Sequence, residues 1–121
     1  MNAKDRFLAY RGRLNSIRMS NRRINEFRFT AGERGGCTWE HELRKFQICW
    51  ELKKRAVDFV SEAIFENGAR ADVVDLTNGI IYEVLHTETL EEAKHKESYY
   101  PELFEIRYIK TSDNWETRLL D

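Results

Sequence analysis

The stretch Arg70-Ala71-Asp72-Val73-Val74-Asp75-Leu76-Thr77-Asn78-Gly79-Ile80-Ile81-Tyr82-Glu83-Val84-Leu85 decides the fold. Two runs rich in β-branched residues flank Asn78-Gly79, a pair suited to the positive φ angles of a type I′ turn, so the spacing predicts a β-hairpin. Counting outward from a two-residue turn sets Thr77 against Ile80, Val74 against Glu83 and Asp72 against Leu85. Side chains alternate between faces, so Asp72, Val74, Glu83 and Leu85 share one face, with Asp72 and Glu83 as diagonal neighbours about 7–8 Å apart. Two carboxylates at that spacing suit one hard cation, Mg²⁺ or Mn²⁺. Left unpaired on an apolar face they would be costly, so the competing reading is structural ion pairing with Arg70 or a helix lysine. Asp75 falls on the opposite face beside Tyr82 and ranks second as a ligand.

Working outward, a third strand over 58–66 precedes Asn67-Gly68, which gives three antiparallel strands, 58–66, 70–76 and 80–86, in a meander. Before them, Thr38 is a helix N-cap with Glu40 and Glu42 in the first turn and Lys53, Lys54 and Arg55 at the end. Trp39, Leu43, Phe46 and Trp50 recur on one helical face, so a helix over 38–56 is expected to bury that stripe. After the strands, Thr89 and Glu92 form a capping box that opens a helix over 90–99, ended by Pro101. A half-exposed strand follows over 104–110, and 111–121 carry no pattern. Upstream, Tyr10, Leu14 and Ile17 fit one helix followed by an extended piece, and the glycines of 31–36 predict a loop.

At 121 residues, 41% hydrophobic and 34% charged, the chain is the size of one domain spanning 1–121. No apolar run suits a membrane span. The two cysteines, Cys37 and Cys49, lack metal or redox spacing, so a cytoplasmic, intracellular protein is the expectation. The net charge of −1 hides an asymmetry: residues 1–34 hold nine basic side chains against three acids, which leaves −7 on the remaining 87 residues. A basic arm on an acidic body fits phosphate gripping beside a cation site, with Arg11, Arg13, Arg22 and Arg23 as candidate nucleic-acid contacts. A solvated basic face is the plainer alternative.

The order αβββαβ, with Arg70-Ala71-Asp72-Val73 before the hairpin turn and Tyr82-Glu83-Val84 after it, resembles the common core of the PD-(D/E)XK (restriction-endonuclease-like) nucleases. The nearest likeness is to small archaeal Holliday-junction resolvases and to the nuclease domain of bacterial competence proteins. Their recurring motifs correspond here to His41-Glu42-Leu43-Arg44-Lys45, an isolated Glu62, Arg70-Ala71-Asp72-Val73 and Glu83-Val84-Leu85-His86-Thr87. The match covers 38 to about 110. The resemblance implies an α/β (α+β) fold with a central mixed sheet flanked by helices. It also implies a metal-dependent endonuclease hydrolysing DNA, with Mg²⁺ (or Mn²⁺) on Asp72 and Glu83, Glu62 as an outer catalytic acid, and His41, Lys45 and Arg70 toward the nucleic acid. A homodimer is expected because so small a nuclease has little other surface for a duplex.

One position departs from the pattern. The family has a lysine two residues beyond the second acid, where it orients the attacking water and offsets phosphate charge; this chain has Leu85. Lys94 is the first candidate to supply that cation from the next helix, ahead of Lys96 and Lys45. The rival reading is a catalytically inactive protein of nuclease fold acting as a nucleic-acid-binding or assembly module, for RNA as readily as DNA.

Overall fold

The computed structural model describes residues 1–31 and 38–121. The chain is a mixed α/β domain around a four-stranded mixed sheet of order β1-β2-β3-β4: β1 Phe59–Ile64, β2 Arg70–Asp75, β3 Ile80–Leu85 and β4 Glu105–Lys110. The first three strands are antiparallel and β4 runs parallel to β3. Helix α1 (Ala3–Ser16) precedes a 3₁₀ turn at Met19–Asn21, and α2 (Trp39–Lys54) precedes the sheet. The expected loop over 31–36, and Cys37, fall almost wholly outside the described residues; Cys49 is a buried free thiol.

Alternation along β2 and β3 makes two cores. Val73, Ile80, Tyr82 and Val84 pack with Ile48, Cys49 and Leu52 of α2. Val74 and Ile81 pack with Ile17 and Tyr100, flanked by Tyr10 and Leu14 of α1. Each fully buried Ile or Leu contributes about 1.5–3 kcal/mol, so α2 is held by a short apolar stripe.

That stripe is not the expected one. Trp39 and Trp50 are 74% and 52% exposed, and Leu43 and Phe46 also face outward. The face turned to the sheet carries Lys45, Ile48, Cys49 and Leu52. Its branched and small side chains pack closely on the strands, and Lys45 meets carboxylates beneath it; three large rings and a leucine would hold the helix further off.

The β2–β3 turn also differs. The register Asp75↔Ile80, Val74↔Ile81, Val73↔Tyr82 leaves a four-residue connection, Leu76–Gly79. Gly79 alone of that connection has positive φ, at 74°, so the type I′ geometry is absent. Asp75 instead accepts from the Asn78 N–H (2.7 Å) and Nδ2 (2.9 Å), and Arg13 donates to the Leu76 and Thr77 carbonyls. Leu76 is buried in this connection.

The predicted helix over 90–99 is a single helical stretch, α3 (Leu90–Lys94), with its capping box intact, followed by a 3₁₀ turn at Glu97–Tyr99. The patternless tail is ordered: Thr117–Leu120 forms a 3₁₀ turn whose Leu120 enters the core, and the Tyr82 hydroxyl donates to its carbonyl. No helix among the described residues is long and apolar enough to cross a membrane.

Candidate functional site

One step beyond Val73↔Tyr82, the register sets Asp72 directly opposite Glu83 rather than diagonally across from it. The shift is by two residues, so both acids keep the face they were expected to share. Here carboxylates replace main-chain ladder bonds: the Asp72 N–H donates to Glu83 Oε1 (3.2 Å), and the Val84 N–H donates to Asp72 Oδ2 (2.7 Å). Asp72 Oδ1 and Glu83 Oε2 have no such strand partner.

Glu62 lies in register with Asp72 from the other side, between Ser61↔Val73 and Ala63↔Ala71. Its φ is +51°, a left-handed conformation that costs a non-glycine residue on the order of 1 kcal/mol or more. The turn of backbone brings its carboxylate to Lys45 Nζ (3.2 Å), which also donates to Glu42 Oε1 (3.1 Å) and Thr30 Oγ1 (3.1 Å). Lys45 is wholly buried, and its three donors have three acceptors.

His41, one turn before Lys45, joins the two halves. Its Nδ1 is 2.8 Å from Glu42 Oε2 and its Nε2 3.4 Å from Asp72 Oδ1. Burial works to lower its pKa, but Asp72 and then Glu42 outweigh burial and hold it at about 9, so the ring is an imidazolium at neutral pH. Burial works to raise Glu42, yet His41, the Thr30 N–H and Lys45 bring its carboxyl down to about 2. Glu83 goes the other way: burial, then the Asp72 charge, push it well above the ordinary carboxylate range. Glu62 is also raised, by burial first. The Tyr100 hydroxyl has one proton and two oxygen neighbours, the Arg70 carbonyl at 2.8 Å and Glu83 Oε1 at 3.0 Å. A proton on Glu83 satisfies both contacts.

The cluster therefore sets four carboxylates, Glu42, Glu62, Asp72 and Glu83, against two cations, His41 and Lys45. With every acid ionised it carries an excess of −2. It opens onto a cleft of about 670 Å³ whose rim includes Arg70, His86, Thr87 and Lys96. Lys96 lies near enough to favour the charged form of Glu83 and pairs with Glu88 at 3.4 Å; Lys94 does not line the cleft.

No family model, curated protein or solved structure matches the chain. The functional reading accordingly rests on the site's own chemistry.

The structure gathers His41, Lys45, Glu62, Asp72 and Glu83, with Arg70 on the rim, and leaves the arginines of the basic arm elsewhere. Arg13 caps the closed end of the β2–β3 hairpin, away from the acids. Arg22 donates to the Ile17 and Asn15 carbonyls beyond α1, Arg11 lies over the Phe7 ring, and Arg23 is exposed near Glu26. Three contributors escaped sequence reasoning, Glu42, Thr30 and Tyr100, while Lys96, named there behind Lys94, lines the cleft. Glu42 read as a first-turn acid, and only its place beside His41 hinted at a second role. Asp75 is buried and committed to Asn78.

Among the described residues, no three His, Cys, Asp or Glu side chains are grouped so as to hold a metal ion. An all-oxygen pair with an excess of −2 nonetheless suits Mg²⁺, which takes one or two carboxylates and completes its shell with water and phosphate. Asp72 and Glu83 would hold it.

Proposed function

We propose that the chain is a metal-dependent nuclease of the PD-(D/E)XK kind, hydrolysing DNA phosphodiester bonds at the Asp72–Glu83 cleft. The observation that carries the reading is geometric: two acids on adjacent strands, Asp72 and Glu83, tied to each other's strands and lining one cleft with Arg70 and Lys96. A bound Mg²⁺ supplies an activated water and offsets charge on the phosphate. Asp72 is oriented by the Val84 N–H and by the His41 imidazolium, which Glu42 steadies in turn. Glu83 accepts from the Asp72 N–H and the Tyr100 hydroxyl, which fix its carboxyl, and it would have to be ionised to hold a cation. Lys45, enclosed by Glu42 and Glu62, neutralises the inner acids and does not reach solvent. The cation nearest the role left open by Leu85 is Lys96, with Arg70 beside it to grip phosphate.

The test is incubation of supercoiled, linear, single-stranded and branched DNA, and of RNA, with the protein in Mn²⁺ or Mg²⁺. Asp72→Ala and Glu83→Ala are expected to abolish cutting, Lys96→Ala to slow it about 10²-fold or more, and Lys94→Ala to leave it unchanged. Full cutting by either acid variant overturns the reading. The second reading, a binding module without catalysis, is favoured by Leu85 and by the tie of one oxygen of each acid to the opposite strand. It predicts nucleic-acid binding with no cleavage and no dependence on Asp72.

A further inference from the structure

The outer face of α2 carries an apolar surface that the described residues leave partly exposed. Trp39, Leu43, Phe46 and Trp50 form a continuous row, and Phe29, 70% exposed, widens it. The rings are ordered against one another: Phe27 lies edge-on to Phe29 (5.2 Å) and to Phe46 (5.4 Å), and Phe46 is near-parallel to Trp50 (6.2 Å). Partly exposed, these side chains present on the order of 500–600 Å², the upper part of the range for the largest patch of an ordinary monomer, a size that is often functional. Residues 32–37, Gly-Glu-Arg-Gly-Gly-Cys, bring no large apolar side chain to cover it.

We propose that this face is a self-association surface, on which α2 of a second copy of the chain packs antiparallel across a two-fold axis. The row is its own mirror in spacing. Steps of four, three and four residues separate positions 39, 43, 46 and 50, so a two-fold axis between residues 44 and 45 sets Trp39 on the second copy's Trp50 and Leu43 on its Phe46. Every large side chain meets another large side chain, and both rows are buried end to end. A parallel pairing would set each residue on its own copy and align the two helix dipoles side by side.

Charge points the same way. The exposed acid Glu40 stands in the first turn of α2, and exposed Lys53 and Lys54 in the last. Antiparallel packing brings the acidic start of each helix beside the basic end of the other; parallel packing sets lysines against lysines. Two such faces bury about 1,000 Å² in total, near the lower bound for a specific interface. The surface lies on the side of α2 away from the cleft, so the inference holds whether or not the cleft cuts nucleic acid.

Sedimentation velocity across about 1–500 µM is the experiment. Wild type is expected to approach twice the 14.5 kDa chain mass. Phe46→Glu and Trp50→Glu, both on exposed positions, are expected to stay monomeric with an unchanged circular dichroism spectrum. A wild type that remains monomeric throughout overturns the proposal. Orientation is read from charge reversal: Glu40→Lys or Lys53→Glu alone should weaken association about tenfold at low salt, two contacts per dimer being lost, while the double variant should restore it. Failure of the double variant to recover overturns the antiparallel register. Loss of association with cleavage intact, or the reverse, separates this surface from the cleft.

Discussion

Glu42 and His41 bind their protons in opposite senses, and this sets a pH window for the metal-free fold. Glu42 is depressed from 4.5 to about 2, so its contribution is complete above the ordinary carboxylate range and is lost as pH falls from about 4.5 through 2. His41 is raised from 6.5 to about 9, so its contribution is complete below about 6.5 and is lost as pH rises through 9. Urea midpoints measured against pH should therefore fall below about 4.5 as Glu42 is protonated. Above it the raised Glu83 and Glu62 lose stability as they ionise, and the further alkaline decline through about 9 is the part that His41→Asn flattens. At the closed end of the hairpin, Gly79 combines φ of +74° with an Arg13 side chain whose Nε would lie 2.7 Å from an added Cβ. Gly79→Ala should cost about 1–3 kcal/mol of unfolding free energy. The cost should be smaller in an Arg13→Ala background, where only the backbone strain remains.

Two elements have their places decided by partners remote in sequence. Lys45 is buried on α2 between Glu42 and Glu62, an arrangement that tolerates removal of all charges better than removal of one. Lys45→Met should lose about 3–5 kcal/mol in chemical denaturation, and Lys45→Met with Glu62→Leu and Glu42→Leu should recover much of it. The last 3₁₀ turn closes the α2-side core through Leu120, with Arg107 and Tyr82 donating to its carbonyl and Arg55 reaching Asp121. Leu120→Ala is expected to cost about 2–5 kcal/mol, an effect calorimetry would read as a lowered Tm.

At the scale of the whole molecule, the proposed cation site predicts a stability that depends on metal. Mn²⁺ or Mg²⁺ should raise the Tm of wild type and leave that of Asp72→Ala unmoved, because a ligand stabilises only the state that binds it. An equal rise in both would point to binding elsewhere on the acidic body. Of the basic arm, Arg13 donates to the Leu76 and Thr77 carbonyls and ties α1 to the β2–β3 turn, and Arg22 donates to the Ile17 and Asn15 carbonyls, whereas Arg70 and Lys96 line the cleft. Any nucleic acid at the cleft therefore meets Arg70 and Lys96 first, and Lys96→Ala with Arg70→Ala should weaken DNA binding more than Arg11→Ala with Arg23→Ala in a fluorescence anisotropy titration.

By itself the sequence determined what depends on neighbours in the chain. Strand alternation brought Asp72 and Glu83 to one face, Thr38 and Thr89 began helices, and the β-branched runs became β1, β2 and β3. Parity survives a register shift of two residues, which is why the shared face was legible and the spacing across it was not. Tertiary structure alone decided that register, because Asp75 captured Asn78, Arg13 captured the turn carbonyls and Leu76 needed burial. It also decided which of two apolar stripes on α2 faces inward, since periodicity reports that a stripe exists and cannot report where the opposing acids lie. Glu62 supplied that information from β1, by turning its backbone to meet Lys45. The side left outside is the row of Trp39, Leu43, Phe46 and Trp50, which the described residues leave partly exposed.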